Sequence, residues 1–177
     1  GHTPFGHAGE RYLSECFQEA CGMYFNHNVH SVRVLDGILN RNVSLQTLDG
    51  ILCHNGEFAM KEYRPVPMQN FTHFDDKYGQ CYTDEKAIGR LIPYTLEACV
   101  VRVCDMIAYL GKDRQDAVRA KLIPDESIFE ERTFGKSNPE IINNLIVNIV
   151  ENSYGKDCIV MDEEYYKAIK ATKKENY

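Results

Sequence analysis

The chain has 177 residues, of which 44% are hydrophobic and 26% charged, and this suits a soluble globular protein with one sizeable core. No run approaches the roughly 18 apolar residues that a membrane span needs, and no charged-then-apolar leader indicates secretion. The net charge of −6 argues against strong binding to nucleic-acid phosphates. Seven scattered cysteines without a C-x-x-C pair argue for reduced thiols, so we expect a cytoplasmic protein.

The apolar pattern along the first half of the chain is mostly helical. After a stretch that contains proline and glycine, the first helical pattern runs from about Glu10 to Cys21. Two more helices are predicted over residues 28–39 and 44–53. From Tyr63 to Gly79 no period is visible, which predicts a long loop, and a short helix is predicted to begin at Asp84.

The second half contains the longest predicted helix, from Thr95 to about Lys121, with one continuous apolar face. Asn138-Pro139 is typical of a helix start and Tyr154-Gly155 of its end. Asp162 is expected to cap a last helix. We therefore predict an all-α protein with at least six helices and a single domain over 1–177, with the long helix central in its core.

The N-terminal residues carry the first candidate chemistry. They read His2-Thr-Pro-Phe-Gly-His7-Ala-Gly-Glu10. A rigid loop that ends at a helix start holds an imidazole and a carboxylate at fixed positions, as acid–base chemistry or metal binding requires. The alternative is a polar loop at a frayed terminus, with Gly1 and His2 left over from an expression tag.

The long predicted helix carries the second candidate group. Asp105, Tyr109 and Asp113 are spaced four apart, so they are expected to stack on one helix face. Arg102 lies one turn before Asp105, and the alternative is therefore a solvated face with an Arg–Asp pair.

Histidines between these two groups give a third candidate. His27 and Asn28 precede a helical stripe, where His27 is either catalytic or an exposed residue at a helix start. His54 and Glu57 are three apart at a helix end, which favours a structural or supporting site over a catalytic one. His73 stands alone in the predicted loop and is expected to be solvated.

The three motifs, in this order, resemble the HD-domain deoxynucleoside triphosphate triphosphohydrolases, the dGTPase-like family, and in particular its bacterial branch. The family's first motif is His-Asp-x-Gly-His-x-Pro-Phe-Gly-His-x-Gly-Glu, and this chain opens at the first Gly of that motif. The resemblance runs from Gly1 to Tyr177. It implies an HD-domain-like helical bundle that is incomplete at its N-terminus, with the His-Asp dyad just upstream of Gly1.

The resemblance also implies roles for single residues. His7, oriented by Glu10, would act in proton transfer, and His27 would protonate or stabilise the leaving side. Asp105 would be one of four ligands of a divalent ion such as Mn or Mg, the other three lying upstream of Gly1. The substrate would contact four further residues: His2, Asn28, Tyr109 and Asp113.

The implied reaction of the complete protein is metal-dependent hydrolysis of a deoxynucleoside triphosphate to a deoxynucleoside and triphosphate. This chain holds one of the four ligands and is expected to be inactive alone. The expected partners are the substrate and further copies of the chain, with no membrane and no strong nucleic-acid binding. Two alternatives stay open: an HD-type enzyme acting on monophosphates or cyclic nucleotides, and a non-catalytic nucleotide-binding or oligomerisation fragment.

One geometric expectation follows from these roles. Although up to about a hundred residues separate them in sequence, five side chains should converge on one concave site: His7, Glu10, His27, Asp105 and Tyr109.

Overall fold

The computed structural model of the chain describes residues 1–56, 59–130 and 132–176. Within these residues the structure has eight α-helices and one small sheet, which confirms the all-α prediction. The helices are α1 (Gly6–Cys21), α2 (His27–Val32), α3 (Leu45–Leu52), α4 (Phe71–Thr83), α5 (Leu96–Leu110), α6 (Lys112–Arg119), α7 (Asn138–Ser153) and α8 (Glu163–Asn176). A π-helical turn, Arg33–Ile38, continues α2. The antiparallel strands are β1 (Glu62–Tyr63) and β2 (Ile159–Val160).

The chain divides into two compact units. Unit 1 comprises residues 1–55 and 65–98, and unit 2 comprises residues 56–64 and 99–177, so that the boundary falls within α5. The single domain expected over 1–177 stays a prediction. In the described part of the chain, no helix combines the length and the apolar character that crossing a membrane requires.

The core of unit 1 is formed by α2, α3 and α4. Its most buried apolar side chains are Val29, Val32, Leu48, Leu52, Cys53, Phe74 and Cys81. The predicted loop from Tyr63 to Gly79 is wrong for its second half, because α4 begins at Phe71. Asn70 caps this helix by accepting a hydrogen bond from the backbone N–H of His73 at 3.1 Å. Asp84 ends α4 and is followed only by a three-residue 3₁₀ turn, so the α-helix predicted there is absent.

The core of unit 2 surrounds α5. Its apolar stripe contributes Cys99, Val103, Met106, Ile107 and Leu110, which confirms the predicted apolar face. Side chains of the following elements complete the cluster: Phe134, Ile141, Leu145, Ile149, Met161 and Ile169. Burial of these side chains is the main source of stability in this unit.

The helix predicted from Thr95 to Lys121 is interrupted at Gly111, and the prediction of one continuous helix is wrong there. A Cβ atom at Gly111 would lie 2.7 Å from Oδ1 and 3.1 Å from Cα of Asn138. Helix α7 can therefore pack closely against position 111 only if that residue is glycine. Glycine also destabilises an α-helix, which favours the interruption at this point. As a result, Asp113 lies in the first turn of α6, whereas Asp105 and Tyr109 lie on α5.

The last two helices begin within one residue of their predicted starts, and Ser137 takes the cap position of α7 in place of Asn138. Ser137 precedes α7, and its backbone N–H donates to the carboxylate of Glu140 at 3.0 Å. Oδ1 of Asp162 accepts a hydrogen bond from the backbone N–H of Tyr165 at 2.9 Å, which caps α8.

Candidate functional site

The first helix brings two of the predicted residues onto one face. Helix α1 begins at Gly6, one turn before the predicted start, so His7 is helical and does not lie in a loop. The first turn of α1, residues 6–9, contains no large apolar side chain, and it therefore gives no apolar signal in the sequence. Residues three apart on a helix are neighbours. The side chains accordingly meet, with Nδ1 of His7 3.1 Å from Oε2 of Glu10.

The carboxylate of Glu10 also holds the start of α2. Its Oε1 accepts the backbone N–H of His27 at 2.6 Å, and both carboxylate oxygens lie 3.0 Å from Nδ1 of the His27 ring. Asn26 caps α2 by accepting the backbone N–H of Asn28 at 3.1 Å, and this fixes the backbone on both sides of His27. His27 is buried and Glu10 is partly buried, whereas His7, on the other side of the carboxylate, is exposed.

The network sets the charge of Glu10. Burial raises the pKa of its carboxyl, but the hydrogen bonds from the ring and the backbone of His27, together with that from His7, lower the pKa to about 2. Glu10 is therefore an anion at neutral pH and can only accept hydrogen bonds. Neutral His7 and His27 then carry their proton on Nδ1, which leaves Nε2 of each ring as the basic nitrogen.

Two more histidines border His27. The ring of His2 stacks on the ring of His27 with centroids 4.2 Å apart and an angle of 18° between the planes. Burial, and then the charges of His27 and His7, lower the pKa of His2. The ring of His54 lies 5.1 Å from that of His27, in an edge-to-face arrangement. The sequence favours a structural or supporting role for His54. Glu57, three residues further on, lies outside the described residues.

Asn28 connects these elements from within the core. Its side chain is fully buried, and Nδ2 donates to the backbone carbonyl of Leu52 at 3.0 Å and lies 3.3 Å from Nδ1 of His54. Its Oδ1 has no hydrogen-bond partner among residues 1–56, 59–130 and 132–176. The predicted contact between Asn28 and a substrate stays a prediction, and the structure shows Asn28 fastening α2 to the end of α3.

Two groups of these side chains could hold a metal ion. One consists of His2, His27 and His54, the other of His7, Glu10 and His27. In each group one nitrogen or oxygen atom per residue lies within 4.8 Å of the others. His27 belongs to both groups and is the centre of the site.

A cavity of about 640 Å³ adjoins His2 within unit 1. Most of its lining is apolar and includes Leu13, Phe17, Phe25 and Val29, and its polar side chains include His30 and Arg33. Volume and lining are typical of sites that bind small molecules. This face of unit 1 therefore offers a concave surface next to the histidines.

The remaining predicted site residues lie in unit 2. Asp105 is half-buried, and its Oδ2 accepts the backbone N–H of Gly56 at 3.1 Å. A Cβ at position 56 would meet the backbone nitrogen of Met106 at 2.5 Å, so this approach requires glycine. Tyr109 is 57% exposed, and Asp113 is half-buried on α6.

The structure thus brings four predicted site residues together: His2, His7, Glu10 and His27. Convergence of His7, Glu10 and His27 with Asp105 and Tyr109 stays a prediction. His54, for which the sequence favours a structural or supporting role, also lies beside His27. The sequence offers one sign of this position, a histidine that directly follows the apolar stripe of α3.

Comparison with known proteins gives one consistent group of relatives. Over 137 residues the chain is 33% identical to the deoxyguanosinetriphosphate triphosphohydrolase-like protein of Rickettsia akari, covering 73% of this chain and 31% of the relative. The protein of the same name in Rickettsia prowazekii is 34% identical over 139 residues, covering 73% of this chain and 32% of the relative. That of Caldanaerobacter subterraneus is 28% identical over 174 residues, covering 95% of this chain and 40% of the relative.

The chain accordingly spans between 31% and 40% of the length of these curated relatives. No protein-family model matches the sequence. No solved structure matches it either.

Proposed function

Because the chain belongs to the deoxyguanosinetriphosphate triphosphohydrolase-like family, we propose that it contributes to hydrolysis of a deoxynucleoside triphosphate to a deoxynucleoside and triphosphate. One observation carries the proposal. The ionised carboxylate of Glu10 holds the imidazoles of His7 and His27 in one network, with a basic nitrogen left on each ring. Such a pair of oriented imidazoles is suited to proton transfer near neutral pH.

The reaction needs two proton movements. A water molecule attacks the α-phosphorus and loses a proton, while the bond from phosphorus to the 5′ oxygen breaks and that oxygen gains a proton. In the proposal, Nε2 of neutral His7 accepts the proton of the attacking water. His27 protonates the leaving 5′ oxygen from Nε2 when its ring is doubly protonated at the start of the reaction, or otherwise stabilises the leaving side. Glu10 stabilises whichever imidazole is charged, and it stays ionised because its pKa is about 2.

The family resemblance implies further residues that contact the substrate. His2, stacked on His27, would contact the phosphates, and the exposed ring of Tyr109 would pack on the deoxyribose. Asp113 would accept a hydrogen bond from the sugar hydroxyl. For Asn28 we propose positioning of the histidines, because its side chain is fully buried and its amide donates to the Leu52 carbonyl.

A divalent ion such as Mn²⁺ or Mg²⁺ would polarise the α-phosphate and align the attacking water. Of the four ligands that the family resemblance implies, Asp105 lies in this chain. A single carboxylate does not hold a divalent ion tightly, because affinity depends on several ligands in a fixed geometry. The residues of this chain alone therefore do not fit a complete ion site of that kind.

The experiment measures release of triphosphate from dGTP and other deoxynucleoside triphosphates with Mn²⁺ or Mg²⁺. It compares the 177-residue chain with the same chain extended at its N-terminus by a segment that supplies a His-Asp dyad and a further histidine. We expect little turnover by the shorter chain and turnover by the longer one. In the longer protein Asp105→Ala should abolish turnover, and Asp84→Ala, an exposed carboxylate, should not.

Three results would contradict the proposal. Robust turnover by the 177-residue chain would show that the assignment of the four metal ligands is wrong. Hydrolysis of monophosphates or cyclic nucleotides without release of triphosphate would support a different HD-type activity. Absence of any turnover by the folded, extended protein would favour a non-catalytic role.

A further inference from the structure

Three of the six histidines meet although they come from separate segments of unit 1. His2 precedes α1, His27 opens α2, and His54 follows α3. One ring nitrogen of each lies within 4.8 Å of the other two. The meeting depends on long-range packing, since the buried amide of Asn28 joins the start of α2 to the end of α3.

Two of these rings are oriented as in metal-binding histidines. Nδ1 of His54 lies 2.6 Å from the carbonyl oxygen of Ile51, which can only accept, so this nitrogen carries the proton. Nδ1 of His27 donates to the carboxylate of Glu10 at 3.0 Å. A histidine that binds a metal almost always donates its other N–H to a carbonyl or a carboxylate. Each ring is thereby left with an unprotonated Nε2. At His27 the proposed proton transfer uses this same nitrogen, so a bound ion and that proton transfer exclude each other.

We propose that His2, His27 and His54 form a binding site for a borderline transition-metal ion such as Zn²⁺. Three imidazoles suit zinc, copper or nickel, whereas magnesium, calcium and manganese prefer carboxylate and carbonyl oxygens. The site therefore differs in its chemistry from the carboxylate ligation that Asp105 would provide. Three histidine ligands leave a fourth position of a tetrahedral ion for water or a phosphate oxygen.

The hydrogen bonding around His27 is compatible with a ligand role. A ligating imidazole binds an ion in its neutral form, with one ring nitrogen available. His27 is buried, and Glu10 accepts its Nδ1 proton without itself occupying the three-histidine group.

The second group, His7 with Glu10 and His27, is less suited to an ion. Both oxygens of Glu10 already accept hydrogen bonds, one of them from the backbone N–H of His27 at 2.6 Å. An ion at that point would displace the Nδ1 proton of His27 and break the network. The three-histidine group requires no such loss.

The experiment titrates the metal-free 177-residue chain with Zn²⁺ by calorimetry and with Co²⁺ by visible absorption, which reports nitrogen ligation and tetrahedral geometry. We expect one ion per chain. His54→Gln and His2→Gln should each weaken zinc binding by at least about tenfold, because loss of an outer-shell partner alone costs about 10–100-fold. The matched control is His73→Gln, an exposed histidine on α4, which should bind zinc as the unmodified chain does.

Several outcomes would overturn the proposal. One is an absence of saturable zinc binding. Another is a loss of zinc affinity in His73→Gln as large as that in the ligand variants. A third is a loss of zinc affinity in His7→Gln with none in His54→Gln, which would place the ion in the second group. Circular dichroism checks that each variant folds. If His54→Gln unfolds, His2→Gln decides, because that side chain is exposed and its loss leaves the core intact. None of these readouts depends on turnover of a nucleotide, so failure here is distinct from failure of the proposed hydrolysis.

Discussion

The two units differ in the kind of charged group that they contain. All six histidines lie in unit 1, and unit 2 has none. In unit 2 the buried guanidinium of Arg114 pairs with Glu175 at 2.9 Å and packs on the ring of Phe129. Histidine is the side chain that ordinarily changes charge between pH 5 and 8, whereas arginine does not. The histidines that the proposed proton transfer uses therefore all lie in unit 1.

The two units also bury charged groups of opposite sign. Besides its apolar cluster, unit 2 buries Arg102 and Arg114, whereas unit 1 buries the carboxylate of Asp49. This carboxylate accepts hydrogen bonds from Nζ of Lys77 at 2.6 Å and from the backbone N–H of Tyr94 at 2.7 Å. Loss of apolar volume in unit 2 and loss of the buried carboxylate in unit 1 are therefore both expected to lower the free energy of unfolding.

The largest expected effect is Leu145→Ala in unit 2. Leu145 is fully buried, so the substitution should lower the free energy of unfolding by about 2–5 kcal/mol through lost burial and a cavity. The same substitution at Leu122, which is 79% exposed, should change it by less than about 0.5 kcal/mol. Urea unfolding followed by circular dichroism measures both. Equal losses would show that the apolar cluster does not stabilise unit 2.

The next effect concerns the buried charge of unit 1. Asp49→Ala should cost about 2–3 kcal/mol, since it leaves the backbone N–H of Tyr94 without its acceptor. It also removes one of two acceptors of Lys77 Nζ, which keeps the carbonyl of Ile92. Asp84→Ala removes the exposed pair with Arg90 and should have little effect on the urea midpoint. If Asp49→Ala unfolds at the same urea concentration as the unmodified chain, the buried carboxylate of Asp49 does not stabilise unit 1.

A smaller effect depends on pH. The pKa of Glu10 falls from its ordinary 4.5 to about 2 in the folded chain, so its contribution to stability is present above pH 4.5 and is lost as the pH falls towards 2. Glu10→Gln should therefore be less stable than the unmodified chain at pH 6, and the difference should shrink as the pH approaches 2. Urea unfolding across this range checks it, with the exposed Glu15→Gln on the same helix as control. A difference independent of pH would contradict the assigned network.

The smallest expected effect is at the cap of α4. Asn70→Ala removes the acceptor for the backbone N–H of His73 and should cost about 1 kcal/mol. Gln80→Ala, an exposed position later in the same helix, leaves that cap in place and serves as the control. If both variants unfold at the same urea concentration, the cap does not stabilise α4.

Local signals explain which parts of the fold could be predicted. The stripe of α5 and the cap at Asp162 are readable because neighbouring residues determine them. The interruption of the long helix at Gly111 could not be predicted from neighbouring residues, because it depends on the close packing of Asn138 against Gly111. Helix α4 was missed because polar and aromatic residues alternate irregularly between its two buried positions, Phe74 and Cys81.

The same distinction holds for the candidate site. His7 and Glu10 are close in sequence, and their pairing follows from helical spacing. The place of His54 depends on the packing of α2 against α3 through Asn28, which no local pattern reveals. His27 could be named as a site residue only through the family resemblance, because its contact with Glu10 joins residues seventeen positions apart in the chain.

The most direct test of the proposed catalytic network is the initial rate of triphosphate release from dGTP by the N-terminally extended protein carrying Glu10→Gln or Glu15→Gln. A glutamine at position 10 cannot ionise, so neither His7 nor His27 would be held with a charged acceptor at Nδ1. We expect Glu10→Gln to lower kcat by at least about 100-fold, the usual scale of acid–base catalysis, with little change in KM. Glu15→Gln, which is exposed, should keep the unmodified rate. A folded Glu10→Gln protein as active as Glu15→Gln would contradict the proposed role of the network.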